Sequence, residues 1–286
     1  MWTPNTVAGT GSASDGTERG VAPGARLEIG KVLDQGGSGQ ESWIIAGMEW
    51  ATRDLQAKIV SMSLGRGGDA TDPMSQAVDR LSAETGALFV VAAGNGGPRS
   101  ISSPGAADSA LTVGAVDSAD RLADFSSQGP RAGDFGLKPE ITAPGVDILA
   151  ARSRYQRGGQ GHCTTMSGTS MATPHVAGTA ALLAAVHPDW TGAQLKQALV
   201  SSAKATPSYS PYEAGAGRLD ALAAVNTSVF ATAGAFSGFS AWPHEPGETD
   251  VRKVVYRGRK SIRERLRDVG TTDGTQDAGS RGSRPF

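Results

Sequence analysis

The chain has 286 residues, enough for one large domain or two modest ones, and 38% of them are hydrophobic, as is typical of globular proteins. Its net charge of −1 gives no whole-chain reason to expect binding to nucleic acid or to an anionic membrane. No apolar run reaches about eighteen residues, so we expect no membrane span. Cys163 is the single cysteine, which excludes an internal disulfide.

Strand and helix patterns alternate along most of the chain. Small, glycine-rich residues 7–24 come first, and Asp72 later precedes Pro73, which suits the first position of a helix. The predicted strands are residues 26–33, 58–64, 87–93 and 111–116, and the predicted helices are residues 40–55, 73–85 and 191–203. Such alternation indicates an α/β fold with a mostly parallel sheet and helices on both faces.

A serine stands among small residues directly before the apolar run 176–186, which predicts a helix. Gly168 allows a sharp turn, and Thr169 could cap the start of this helix. Ser170 would then lie in the first turn, where free N–H groups and the positive helix end favour a developing oxyanion. An isolated Gly-x-Ser is also common at ordinary helix starts.

The longer string decides between these interpretations. Residues 168–178 read Gly-Thr-Ser-Met-Ala-Thr-Pro-His-Val-Ala-Gly, which resembles the nucleophile motif of the subtilases, the subtilisin-like serine proteases. The resemblance covers roughly residues 6–225. It implies the three-layer subtilisin-like fold, incomplete here at the amino terminus. It also implies that Ser170 is the acylated nucleophile, and that His175 is a packing residue rather than the catalytic base.

Loops after the predicted strands match the family's active-site rim. The resemblance implies that Asn95 donates to the oxyanion of the tetrahedral intermediate. It further implies that two glycine-containing segments pair with an extended polypeptide substrate, because glycines allow close backbone approach. The implied substrate-binding residues are Gly37, Ser38, Gly39, Ser63, Leu64, Gly65 and Gly94.

Acyl transfer by serine also needs a base and a carboxylate that holds the base. In the string of residues 3–10, Thr3 stands where the family has its catalytic His, and only two residues precede it, so the Asp is missing too. His162 is a poor substitute, and Asp15 and Asp34 are interpreted as solvated loop acids. We therefore expect the chain by itself to be essentially inactive.

Three hypotheses remain open. The first is a subtilisin-like serine endopeptidase domain that lacks its amino-terminal part. The second is a non-catalytic pseudoprotease that binds peptides, and the third is an enzyme completed by a separate amino-terminal fragment. We expect no metal site and no cofactor, although the family implies calcium loops that cannot be identified in this sequence. The family also implies secretion, but the chain shows no signal peptide.

The last part of the chain differs in charge from the rest. Residues 251–286 carry ten basic and four acidic side chains, against seventeen and twenty-four in residues 1–250. We predict a partial catalytic domain over residues 1–228. Residues 229–256 are predicted to be a linker in which a further β domain could start, and residues 257–286 a basic, disordered tail.

Overall fold

A computed structural model describes residues 3–153, 161–232 and 255–258. In chain order the helices are α1 (Thr3–Ala8), α2 (Glu41–Glu49), α3 (Pro73–Thr85), α4 (Thr169–Val186), α5 (Gly192–Ser201), α6 (Pro211–Ala214) and α7 (Ala221–Asn226). The strands are β1 (Ile59–Met62), β2 (Arg66–Gly67), β3 (Leu88–Ala92), β4 (Ser102–Ser103), β5 (Leu111–Val116), β6 (Ile141–Pro144), β7 (Ile148–Ala151), β8 (Cys163–Met166), β9 (Val229–Ala231) and β10 (Tyr256–Gly258). A π-helical turn, Trp50–Asp54, extends α2.

The centre of the fold is a four-stranded parallel sheet in the order β1–β3–β5–β6. Successive side chains along a strand point to opposite faces of the sheet. Both faces of this sheet are apolar because apolar residues occupy both sets of positions. In β3, Leu88 and Val90 belong to one hydrophobic core, and Phe89 and Val91 to the other. All five residues of β3 are buried, as expected for a parallel sheet that is covered on both faces.

Helices cover both faces of this sheet and give the fold its three layers. One core contains side chains of α4 and α5 together with those of β3, β5 and β6. The other core contains side chains of α2 and α3. The three-layer α/β fold expected from the sequence is therefore confirmed.

The helix boundaries follow local chemistry that can be recognised in the sequence. Asp72 caps α3 by accepting a hydrogen bond from the N–H of Met74. Thr191 and Gln194 form a reciprocal capping box at the start of α5. These two helices begin where the sequence predicts.

The predicted strand over residues 26–33, here named the edge segment, is wrong. Within the described residues, this segment belongs to no sheet, and β1 is the outer strand of the parallel sheet. Leu27 and Ile29 remain 39% and 55% exposed. A strand is stabilised by hydrogen bonds to a neighbouring strand, and alternating apolar residues alone cannot supply that neighbour.

A buried charge cluster lies just before β6. Glu140 Oε1 accepts hydrogen bonds from Lys138 Nζ at 2.6 Å and Lys196 Nζ at 2.7 Å, and Oε2 accepts one from the N–H of Thr112 at 2.8 Å. Burial, reinforced by the charge of Lys196, lowers the pKa of Lys138 to about 8. Burial opposes ionisation of Glu140 as well, but the two ammonium groups hold its pKa below the usual value.

The described carboxyl-terminal residues return to the main domain. Strands β9 and β10 pair antiparallel, and Phe230 in β9 is buried against Trp190 with ring centroids 4.9 Å apart. The predicted boundaries at 228 and 256 stay predictions. Residues 233–254 and 259–286, which hold most of the predicted further strand and tail, lie outside the described residues.

Candidate active site

The serine that the sequence singles out lies in the first turn of α4. The helix begins at Thr169, and the N–H of Gly168 just before it donates to the carbonyl of Gly145 at 2.8 Å. N–H groups in a first helical turn have no acceptor within the helix, so they can serve a ligand. We name residues 167–170 the nucleophile turn.

A proline inside α4 explains how the nucleophile turn is tied to β1. Pro174 has no N–H to donate to the carbonyl of Ser170, four residues earlier. The hydroxyl of Ser63, directly after β1, donates to that carbonyl at 2.9 Å instead. The Ser170 hydroxyl in turn donates to the carbonyl of Ser63 at 3.3 Å. The structure therefore places Ser63 in direct contact with Ser170.

A second tie joins the nucleophile turn to the loop after β3. Asn95 Oδ1 accepts hydrogen bonds from the N–H of Thr169 at 2.9 Å and from its hydroxyl at 3.0 Å. The Thr169 hydroxyl also lies 3.2 Å from the carbonyl of Gly94. These bonds use the amide oxygen of Asn95, so its two Nδ2 hydrogens are the donors that this side chain can offer to a ligand. The prediction that Thr169 caps its own helix is wrong, since its side chain bonds across to this loop.

Gly94 could not be replaced by a larger residue without disturbing this loop. Its φ is +111°, and a Cβ atom would lie 2.7 Å from the hydroxyl oxygen of Ser127. The strand end therefore requires glycine beside Asn95.

Helix α1 borders the same cleft as the serine. Thr3 and Thr6 line it together with Ser170, Met166 and Pro174. Thr3, the position at which the resemblance puts a histidine, therefore lines the same cleft as Ser170. A threonine hydroxyl is a hydrogen-bonding group and not a base at neutral pH.

The described histidines make other contacts. His175 Nδ1 donates to the carbonyl of Met171, in the preceding turn of α4, at 2.9 Å. Burial lowers the pKa of this imidazole, which favours the neutral ring. His187 stacks on Trp190, with ring centroids 3.7 Å apart, just beyond the other end of α4. His162 is exposed before β8. Among the described residues, the Ser170 hydroxyl donates to the Ser63 carbonyl and to no histidine.

The second segment predicted to bind substrate forms an exposed turn. Asp34 Oδ1 accepts hydrogen bonds from the N–H groups of Gly36 at 2.8 Å and Ser38 at 2.9 Å. Residues 37–39 make no described contact with Ser170. Two residues further on, Glu41 pairs with Arg66, which directly follows Gly65. The two predicted peptide-binding segments are thus neighbours in space.

Clusters of metal-binding side chains and membrane-spanning helices are both absent from the part of the chain that the structure describes. Within residues 3–153, 161–232 and 255–258, no three His, Cys, Asp or Glu side chains are grouped as a metal site would need. Calcium also binds backbone carbonyl and side-chain amide oxygens, so the calcium loops that the family implies and the expected lack of a cofactor both stay predictions. Over the same residues, every helix is too short or too polar to span a membrane.

Comparisons with known proteins identify the family of this chain. The chain matches the Subtilase family over residues 5–217. It is 40% identical to serine protease AprX of Bacillus subtilis over 246 residues, which cover 75% of this chain and 54% of AprX. It is 41% identical to the subtilisin of Bacillus pumilus over 203 residues, which cover 69% of this chain and 68% of that protein.

The coverage of these relatives is uneven. The chain spans about half the length of AprX and of subtilisin NAT. Pyrolysin of Pyrococcus furiosus is 41% identical over 199 residues, which are 14% of its length. The family match nevertheless includes both the nucleophile turn and the loop of Asn95, and it covers most of the chain. The chain belongs to the subtilase family of serine proteases.

Proposed function

We propose that this chain is part of a subtilisin-like serine endopeptidase domain, with Ser170 as nucleophile, and that it is inactive without a further amino-terminal segment. The observation that carries the proposal is the hydrogen bond from the Ser170 hydroxyl to the Ser63 carbonyl at 3.3 Å. A backbone carbonyl accepts this hydrogen bond but cannot take the proton. The serine is in place, yet it has no base among the described residues.

The reaction would begin when a base removes the proton from Ser170 Oγ as this oxygen bonds to the carbonyl carbon of the peptide. The negative charge would develop on the carbonyl oxygen. Asn95 Nδ2 and the N–H of Ser170 would donate to that oxygen, in the field of the positive end of α4. The bonds of Thr169 to Asn95 Oδ1 support this role because they orient the amide in advance.

The missing base and its carboxylate would come from an amino-terminal segment that reaches the cleft beside Thr3. The outer position of β1 supports this idea, because its free edge can accept another strand. The greater length of AprX and subtilisin NAT is consistent with it as well. The segment could be part of a longer chain or a separate polypeptide.

The proposed substrate is an extended polypeptide held between residues 37–39 and 63–65. Residues 37–39 are exposed, Ser63 and Leu64 are half-buried and Gly65 is exposed. Both segments contain glycine, which permits strand-like pairing with a ligand. We also propose a secreted location and no cofactor, on the ground of family membership alone.

Labelling with a fluorophosphonate tests the state of the nucleophile. The purified chain should react slowly or not at all, and the same chain mixed with an amino-terminal subtilase fragment should react at Ser170. Ser170→Ala should abolish any labelling. Rapid labelling of the chain alone would overturn the inactivity proposal, and unchanged labelling after mixing would argue against completion by a separate fragment.

Placing a base in the cleft tests its geometry. In subtilisin itself, removing the His lowers turnover about 2 × 10⁶-fold and removing only the Asp about 3 × 10⁴-fold, so a lone His recovers roughly 10². Thr3→His should therefore accelerate labelling by up to about 10². Thr10→His, in an exposed residue outside the cleft, is the matched control. Equal rates in the two variants would show that Thr3 is not at the base position.

A peptide-binding pseudoprotease is the second candidate. It is favoured by the same lack of a base among the described residues, together with the two predicted peptide-binding segments, which the Arg66–Glu41 ion pair connects. Peptide binding that Ser170→Ala leaves unchanged, with no labelling even after an amino-terminal fragment is added, would support this role. Lack of binding to any extended peptide would exclude it.

A further inference from the structure

Asn95, the proposed oxyanion donor, is followed directly by Gly96. Asparagine is chemically labile, and most of all before glycine, which has no side chain to keep its backbone nitrogen from the asparagine amide. The other two asparagines of the chain, Asn5 and Asn226, both precede threonine, whose branched side chain hinders this approach. Asn95 is therefore the one asparagine with a neighbour that permits deamidation.

The structure leaves this dipeptide open to solvent. Asn95 and Gly96 are both exposed, so the water and hydroxide that deamidation needs reach the amide directly. Gly94 and Gly97 flank the pair, and both have positive φ. A loop with glycine on each side of these two residues lets the backbone nitrogen of Gly96 rotate toward the side chain.

The contacts of the Asn95 side chain favour attack at its amide carbon. Oδ1 accepts hydrogen bonds from the N–H and the hydroxyl of Thr169, at 2.9 and 3.0 Å, in the first turn of α4. Both donors draw electrons away from Cγ. Together with the positive end of the helix, they stabilise the negative charge that develops on Oδ1 when a nucleophile adds to Cγ.

One hydrogen bond of the loop opposes the reaction. The N–H of Gly96 donates to Ser127 Oγ at 3.1 Å, and this hydroxyl also lies 2.8 Å from Ser100 Oγ. Because Ser127 is buried, its hydroxyl stays in place when the exposed backbone of Gly96 moves. The nitrogen must therefore give up its bond to Ser127 before it can reach the Asn95 amide.

We propose that Asn95 is a deamidation site and that Ser127 sets its rate by holding the N–H of Gly96. Hydroxide removes the proton from Gly96 N, and this nitrogen bonds to Asn95 Cγ while the negative charge moves to Oδ1. The Cγ–Nδ2 bond then breaks, and Nδ2 takes a proton from water and leaves as ammonia. Water adds to either carbonyl carbon of the resulting succinimide and breaks its bond to Gly96 N, which leaves aspartate or isoaspartate.

The fold accepts the aspartate product but loses a donor. A carboxylate oxygen takes the same two hydrogen bonds from Thr169, and its negative charge is favourable at the positive end of α4. The product has no Nδ2 hydrogens for an oxyanion. In subtilisin itself, loss of this amide donor lowers turnover about 10²–10³-fold. This functional consequence rests on the proposed function, whereas the deamidation does not.

Peptide mapping by mass spectrometry provides the test. The folded chain is kept at pH 7 and at pH 9, and trypsin then releases residues 81–99, which contain Asn95, and residues 219–252, which contain Asn226. The first peptide should gain about 1 Da and separate into two chromatographic peaks, for aspartate and isoaspartate. Conversion should be faster at pH 9, because hydroxide starts the reaction. The peptide with Asn226 should stay unchanged.

Two neighbouring buried serines separate the role of Ser127 from a general loss of stability. Ser127→Ala frees the N–H of Gly96, and the loss of one hydrogen bond should accelerate conversion about two- to tenfold. Ser126→Ala is the matched control, because the Ser126 hydroxyl accepts a hydrogen bond from the N–H of Ala115 instead. It should leave the rate unchanged. Urea unfolding shows that each variant is folded, and the comparison of Asn95 with Asn226 needs no variant.

Asn95→Asp makes the product directly. It should unfold at a urea concentration equal to or above that of the unmodified chain. After an amino-terminal subtilase fragment is added, its fluorophosphonate labelling should be at least about tenfold slower than that of the unmodified chain. A variant that unfolds at a clearly lower urea concentration would show that the fold does not accept the product.

The outcomes distinguish the deamidation from the proposed function. Conversion at Asn95 that outpaces Asn226 and is accelerated only by Ser127→Ala supports the proposal. A folded chain that keeps Asn95 intact, while the chain in concentrated urea converts, overturns it. Equal rates in the two serine variants overturn the role of Ser127. Undiminished labelling of Asn95→Asp overturns the oxyanion role of Asn95 and leaves the deamidation site intact.

Discussion

The nucleophile turn and the edge segment differ in how firmly the rest of the chain holds them. The turn is fixed by Asn95, Ser63 and Gly145, which come from three other parts of the chain. The edge segment, only 26 residues before β1, belongs to no sheet and exposes two large apolar side chains. Distant segments of the chain thus fix the proposed nucleophile, whereas within the described residues one edge of the sheet has no neighbouring strand.

The largest expected effect on the free energy of unfolding is at the buried charge cluster of Lys138, Glu140 and Lys196. Glu140→Gln would leave two buried ammonium groups without their shared carboxylate, and such losses cost about 3–5 kcal/mol of unfolding free energy. Urea denaturation measures this cost. Glu84→Gln, which breaks an exposed pair with Arg53, should have a much smaller effect because solvent screens that pair. Equal effects would mean that the cluster is not buried as described.

The same cluster predicts a dependence of stability on pH. The pKa of Lys138 is lowered to about 8, so between pH 8 and the normal lysine pKa near 10.4 the unfolded chain binds more protons. Stability should therefore rise with pH in this window, by about 3 kcal/mol relative to a Lys138→Met variant. Unfolding curves at pH 7.5, 9 and 10 measure it. A difference that stays constant with pH would contradict the lowered pKa.

A smaller effect is expected at the tie between β1 and α4. Ser63→Ala removes the donor to the Ser170 carbonyl and should cost about 1–2 kcal/mol. In a Pro174→Ala background, the new N–H can supply that carbonyl, so Ser63→Ala should cost less. A double-mutant cycle with no coupling between the two positions would show that Ser63 does not compensate for the proline.

The smallest effect is expected in the edge segment, and it sharpens the comparison. Leu27→Ala should change the unfolding free energy by less than about 0.5 kcal/mol, since the side chain is exposed. Leu111→Ala, the same change at a fully buried position in β5, should cost about 2–5 kcal/mol. If Leu27→Ala becomes costly once an amino-terminal fragment is added, the edge segment has gained a covering neighbour.

The sequence predicts the features that depend on nearby residues and misses those that depend on distant ones. Buried strands such as β3 and β5, and caps such as Asp72 and Thr191, depend on nearby residues, so pattern and local chemistry predict them. The edge segment has a strand pattern, but its conformation depends on a neighbour that the pattern does not contain. The roles of Thr169 and Ser63 also escaped local reasoning, because their hydrogen bonds join segments 75 and 107 residues apart.

The predicted site residues show a similar contrast. Ser170, Asn95, Gly94 and Ser63 are brought together around the nucleophile turn, whereas Gly37–Gly39 are connected to it only through neighbouring residues. The cluster of Lys138, Glu140 and Lys196 could not be foreseen, because its members belong to separate elements. A lysine in a sequence carries no mark of burial until its partners are known.

The proline in α4 couples two events at separate places: binding of a strand at the β1 edge and binding of a ligand at Ser170. Because Pro174 leaves the Ser170 carbonyl to Ser63, we expect that a strand which shifts β1 on binding also shifts Ser170, the proposed nucleophile. Linkage requires the reverse as well. Suppose that a strand bound at the β1 edge changes the affinity of a reversible Ser170 ligand by some factor. That ligand must then change the affinity of the strand for the β1 edge by the same factor.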